Sequence, residues 1–209
     1  MNDRLFADIT AERLQLIDRL GTLTPTQWDT PSLCSGWRVR DVVGHLVSIL
    51  EIPKWTFIRK VAMGGGFEKV ADRIAREFGA RDPKALCATY RKLAGERFAP
   101  PIIGPIAPLT DLLVHARDIE RPLGLVSQLN ETNVRTVLDF VCGGKGRGFV
   151  PPKHTRGLRF QATDFDWSIG TGPVVIGAGE AIMMAVNRRS AALADLSGDG
   201  ITQLIMQLG

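Results

Sequence analysis

The sequence is short of several things that would define a function by themselves. Its 209 residues include only three cysteines. Cys34, Cys87 and Cys142 are odd in number and far apart, with no Cys-x-x-Cys pair, which argues against a disulfide framework and against a thiolate zinc site. No apolar run approaches the ~20 residues that span a bilayer. The opening stretch MNDRLFADITAERLQ has no apolar signal-peptide core. A cytoplasmic protein without a membrane partner is expected. An excess of one charge is missing too: 26 Lys and Arg against 22 Asp and Glu leave a net +4. Arg38, Arg40, Arg59, Lys60, Arg188 and Arg189 are scattered, not blocked together, so no nucleic-acid partner is expected.

What is present reads as a soluble globular chain, 44% hydrophobic and 23% charged. The length suits one large domain, or an ordinary domain and a small one. Helical spacing of apolar residues runs from Leu5 to Leu20, with Gly21 as the stop. Thr24-Pro25 caps a short turn. A helix from Trp37 onward meets Pro53, which breaks or kinks it. Two further helices follow, the second opened by Asp82-Pro83. PPIIGPIAP reads as an extended connector to a helix that Pro122 and Gly124 end. Another helix starts at Asn130 or Thr132. Up to about residue 143 nothing reads as a strand, and an antiparallel helical bundle is expected.

GGKGRGFVPPKHTRG changes the composition and reads as a linker, with His154 solvated. GGKGRG lacks the Lys-Ser/Thr ending of a phosphate loop. Beyond it, LRFQATDFDWSIGTGPVVIGAG alternates like short strands, and EAIMMAVNRRSAAL and ITQLIMQLG are helical. The expected fold is α+β and predominantly α. Residues 1–145 form a helical bundle, 146–156 a linker and 157–209 a small α/β unit.

Chemistry concentrates in two Asp-x3-His pairs on helices, Asp41 with His45 and Asp111 with His115. At about 100° per residue, positions four apart share a helix face. His45 and His115 are two of only three histidines in the chain. One reading is two local hydrogen-bonded pairs on half-buried faces. The other is a cation site built from two facing helices. Asp118 either orients His115 or pairs with Arg117 or Arg121. Asp41 either supports His45 or, in preference, favours the start of its own helix. Cys34 reads as a small buried hydrophobe in preference to a nucleophile, having no base beside it in sequence, and Trp37 and Trp55 as core or pocket wall. Arg188 and Arg189 suit a helix end, with carboxylate binding as a further role.

DTPSLCSGWRVRDVVGHL together with LTDLLVHARDIERPLG resembles the mycothiol-dependent maleylpyruvate isomerase family, whose N-terminal part is similar to DinB-type four-helix bundles. The likeness continues loosely into LRFQATDFDWSI and GPVVIGAGEAIMMAVNRRSAALADLSGDG. It implies metal ligands at His45, Asp111 and His115, where the isomerase proper has Glu in place of Asp111. It also has Gly-Arg where this chain has Arg188-Arg189. The resemblance implies a divalent metal, zinc by default with nickel, manganese and iron as options. It implies mycothiol as the thiol and a small electrophilic substrate, for isomerisation or thiol transfer. The same ligands would equally serve a thiol-free hydrolase, or a binding or regulatory protein with a structural metal.

Overall fold

Helix α1 spans Asn2–Leu20 and buries Ile9, Leu16, Ile17 and Leu20 along one stripe. The computed structural model describes residues 2–100, 103–126, 129–146 and 150–209. The Thr24 hydroxyl caps α2, Pro25–Trp28, in a reciprocal box with Gln27. Pro53 breaks the next helical stretch into α3, Val39–Glu51, and α4, Lys54–Gly64. Helix α5 runs Phe67–Gly79, and α6 runs Pro83–Leu93 under an Asp82 cap that accepts from the Ala85 amide at 3.0 Å.

Helix α7, Ile106–Glu120, starts two residues before Pro108. The expected extended connector therefore ends earlier than proline content suggests, because the first-turn amides need no intrahelical acceptor. Asn130 caps α8, Glu131–Cys142, accepting from the amides of Thr132 and Asn133. Three short strands follow: β1, Arg159–Ala162; β2, Ser168–Gly170; and β3, Val174–Gly177. Their order is β2-β1-β3, with β1 antiparallel to β2 and parallel to β3. Helices α9, Gly179–Val186, and α10, Ile201–Leu208, complete the chain, with a 3-10 segment at Ser190–Asp195 between them. The fold is α+β and predominantly α. No helix among the described residues is long and apolar enough to cross a membrane.

The chain forms two compact units, Met1–Ala99 with His115–Ser127, and Pro100–Val114 with Gln128–Gly209. Helix α7 is common to both. In the first, α3 and α5 are the principal helix pair. They approach backbone to backbone: a Cβ added to Gly44 would meet the Ala75 carbonyl and the Gly79 backbone, and one added to Gly79 would meet Asp41. Val39, Val42, Val43 and Val47 on α3 and Val70, Ile74 and Phe78 on α5 are buried in this core. Glu120, 1% exposed, closes α7 with ion pairs to Arg19 at 2.6 Å and Arg117 at 2.8 Å.

In the second unit, α9 is buried along nearly its whole length, from Ala181 to Val186. The Trp167 indole donates to Asp139 on α8 at 2.8 Å. Three expectations are corrected. Trp55 is not core but 81% exposed, on a helix with no buried residue among those described. His154 is not solvated. A 3-10 turn at Pro152–His154 carries its ring inward to 1% exposure, where Nδ1 lies 3.0 Å from the Val186 carbonyl and Nε2 has no hydrogen-bond partner among the described residues. The helix read through EAIMMAVNRRSAAL stops at Val186, because Arg188 takes a left-handed φ of 67°. The GGKGRG stretch runs into residues 147–149, which lie outside the described ones.

Two outcomes follow from these packings. Gly44→Ala forces α3 and α5 apart and destabilises the protein by about 1–3 kcal/mol, read from urea denaturation at unchanged slope. Burial, and to a smaller degree Arg188 and Lys153, hold the His154 pKa below its ordinary 6.5. Below pH 6.5 the unfolded chain therefore takes up a proton that the folded one refuses, so stability falls as pH drops. His154→Gln flattens that slope between pH 7 and 5, measured by thermal melts of both proteins.

Candidate metal centre

The segment between α2 and α3 is fixed before any of its side chains act. The Trp37 amide donates to the Cys34 carbonyl at 3.0 Å, closing a turn around Gly36, whose φ of 76° suits glycine. The Ser32 hydroxyl bonds the Trp37 carbonyl at 2.8 Å and receives the Cys34 amide at 3.1 Å. The Leu33 amide then donates to the Asp118 carbonyl at 3.0 Å, stitching this loop to α7.

At the start of α3, Asp41 is fully buried and accepts from the Arg38 amide and from Arg38 Nε, both at 3.0 Å, and from its terminal nitrogen at 3.2 Å. These bonds to Asp41, with Asp29 adding a weaker attraction, raise the Arg38 pKa. Asp41 thus caps its own helix, the role preferred from sequence, and its hydrogen bonds go to Arg38 instead of His45.

One turn beyond Asp41, His45 faces the ring of His115 edge-on, with centroids 4.9 Å apart. Trp37 lies beside both imidazoles, at 5.3 Å from His45 and 6.4 Å from His115. Its indole N–H donates to Asp72 on α5 at 2.7 Å. That bond, then the Arg76 guanidinium, holds the Asp72 carboxyl below its ordinary pKa. Trp37 is therefore a wall of the site, held from behind by an ionised partner.

Helix α7 supplies three ionisable residues. Asp118 is fully buried, and its Oδ2 lies 2.9 Å from His115 Nδ1 and 3.0 Å from Cys34 Sγ. A carboxylate only accepts, so Nδ1 carries the imidazole proton and Nε2 keeps its lone pair for another partner. Cys34 Sγ is also 3.5 Å from Nδ1. Thiol and carboxylate share one ring nitrogen, so the three do not form a nucleophilic triad, which needs the two on opposite nitrogens.

His45, Asp111 and His115 each offer a ligand atom, and these lie within 4.8 Å of one another; Cys34, His115 and Asp118 do the same. Asp111 stands one turn before His115 on the same helix. Two imidazoles and a carboxylate are a donor set that suits a divalent transition cation. The Nδ1–H···Asp118 bond presents Nε2 as second-sphere carboxylates do in such sites. The residues present therefore fit the group that the sequence resemblance implies.

Arg188 and Arg189 follow α9 in the second unit. Arg188 is exposed, and Arg189 donates to the Asn187 carbonyl at 2.8 Å. Reading the sequence sets Cys34 down as a buried small hydrophobe and gives no sign of Asp72. Cys34 sits 81 residues from His115, and its one signal is its place three residues before Trp37 in the same motif. Asp118→Ala removes the acceptor shared by the His115 N–H and the Cys34 thiol. It lowers stability by about 1–3 kcal/mol, measured by chemical denaturation.

Residues 9–54 match the family model of the mycothiol maleylpyruvate isomerase N-terminal domain. That span includes Cys34, Trp37 and His45. Two solved structures are similar over almost the whole chain: crystal structures of the mycothiol-dependent maleylpyruvate isomerase and of a histidine-to-alanine mutant of it. Each has a TM-score of 0.64 at 12% identity, over 95% of this chain and 93% of the other. No curated protein matches. The segment that carries Trp37 and His45 thus matches the model of this family's N-terminal domain, and the fold is similar over nearly its full length to that of the maleylpyruvate isomerase structures.

Proposed function

We propose that the protein is a divalent-metal-dependent enzyme that activates a low-molecular-weight thiol, mycothiol by analogy with its structural relatives, for isomerisation of or transfer to a small electrophilic substrate. The observation that carries this reading is the convergence of His45, Asp111 and His115 ligand atoms, with His115 Nδ1 already committed to Asp118. His45, Asp111 and His115 would hold the ion, zinc by default. When bound it would act as a Lewis acid, lowering the pKa of a thiol at an open position.

The chain's own groups do the rest. Asp118 keeps the His115 proton on Nδ1 and so aims Nε2. The Trp37 ring, fixed through Asp72, covers one side of both imidazoles and limits water there. Arg188 and Arg189 are proposed to bind carboxylates of the substrate or thiol. On this reading residues 1–145 carry the cation site, 146–156 connect, and 157–209 form the smaller α/β unit. The working environment is the cytoplasm, where such thiols stay reduced.

The test is elemental analysis of untagged protein purified without chelators, beside His45→Ala and His115→Ala. Near-stoichiometric metal in the parent and its loss from both folded variants are expected. The parent should then turn over electrophilic substrates only with thiol added. Turnover without thiol would instead identify a hydrolase. A parent that stays metal-free after incubation with zinc, nickel or manganese would overturn the reading.

A further inference from the structure

His115 is the one residue common to both clusters of ligand atoms. Nδ1 is turned toward Cys34 Sγ at 3.5 Å and Asp118 Oδ2 at 2.9 Å, and sulfur and carboxylate oxygen are themselves 3.0 Å apart. For a tetrahedral cation with sulfur at about 2.3 Å and nitrogen at about 2.0 Å, the two ligands stand about 3.5 Å apart. The sulfur–nitrogen spacing already has that value. The carboxylate oxygen is closer to both by about half an ångström, as a hydrogen-bond acceptor should be, and a small rotation of Asp118 opens the space.

We propose that Cys34, Asp118 and Nδ1 of His115 form a second cation site, selective for a thiophilic divalent ion, which shares His115 with the His45–Asp111–His115 cluster. Its occupation costs the Nδ1–H···Asp118 bond. Sulfur, nitrogen and oxygen each form a bond to the ion; the Cys34 thiol proton leaves to solvent and the His115 proton passes from Nδ1 to Nε2, so one proton is released per ion bound. Selectivity follows from the donors: the thiolate favours a soft or borderline ion, whereas the sulfur-free cluster favours harder ones. Cys34 is part-exposed and Asp118 fully buried, so an ion enters from the sulfur side. This site does not require an ion at His45 and Asp111, and its test is independent of the proposed activity.

The experiment titrates the metal-free full chain with cobalt(II) alone and follows the thiolate-to-cobalt charge-transfer absorption. The band should saturate at one ion per chain in the parent, in Cys87→Ser and in Cys142→Ser. It should persist in His45→Ala, even if the enzyme reading fails, and vanish in Cys34→Ser. As a check free of substitutions, cadmium(II) should slow alkylation of Cys34 in the parent about tenfold, mapped by mass spectrometry, because a ligated thiolate is no longer a nucleophile. Absence of the band from the parent, its survival in Cys34→Ser, or its loss in His45→Ala would overturn the proposal, as would unprotected alkylation.

Discussion

Asp118 is the point on which the site depends. Its carboxylate accepts from His115 and Cys34, and its carbonyl accepts from Leu33, so a single residue joins the loop before α3 to the helix that carries the second histidine. A buried carboxylate is costly unless each lone pair finds a donor, and here the donors come from two separate segments. Meeting that demand fixes the ring plane and tautomer of His115 and sets the height of the Cys34–Trp37 turn. The position of the Trp37 ring beside both imidazoles follows.

The helix framework was largely legible in the sequence because its determinants are local. Thr24-Pro25, Asp82-Pro83 and Asn130 cap helices as their chemistry predicts, and Pro53 separates α3 from α4. The pairing of His45 with His115 was legible in part, through the repeated Asp-x3-His spacing. That spacing treated its two copies alike, whereas the structure separates them: Asp41 serves Arg38 at a helix start, and Asp111 stands with the histidines.

What the sequence concealed depends on contacts between distant segments. Cys34 looked like an ordinary small hydrophobe because its carboxylate and imidazole neighbours lie more than eighty residues away. His154 looked solvated because it follows a glycine- and proline-rich run, yet a 3-10 turn buries it under the end of α9. Trp55 erred the other way. A helix carrying Trp, Phe, Ile, Val and Met promised a core, but among its described residues α4 buries none.

The glycine crossing of α3 and α5 has an evolutionary corollary. Where two helices touch through backbone, no side chain remains whose size selection could vary to move them by fractions of an ångström. The height of His45, one residue after Gly44, is thereby fixed across neutral drift. A change of side-chain length on α7, such as Asp111→Glu, does not act on this backbone-to-backbone helix contact. In this chain the two walls of the site therefore differ in how much freedom their packing leaves to side-chain length.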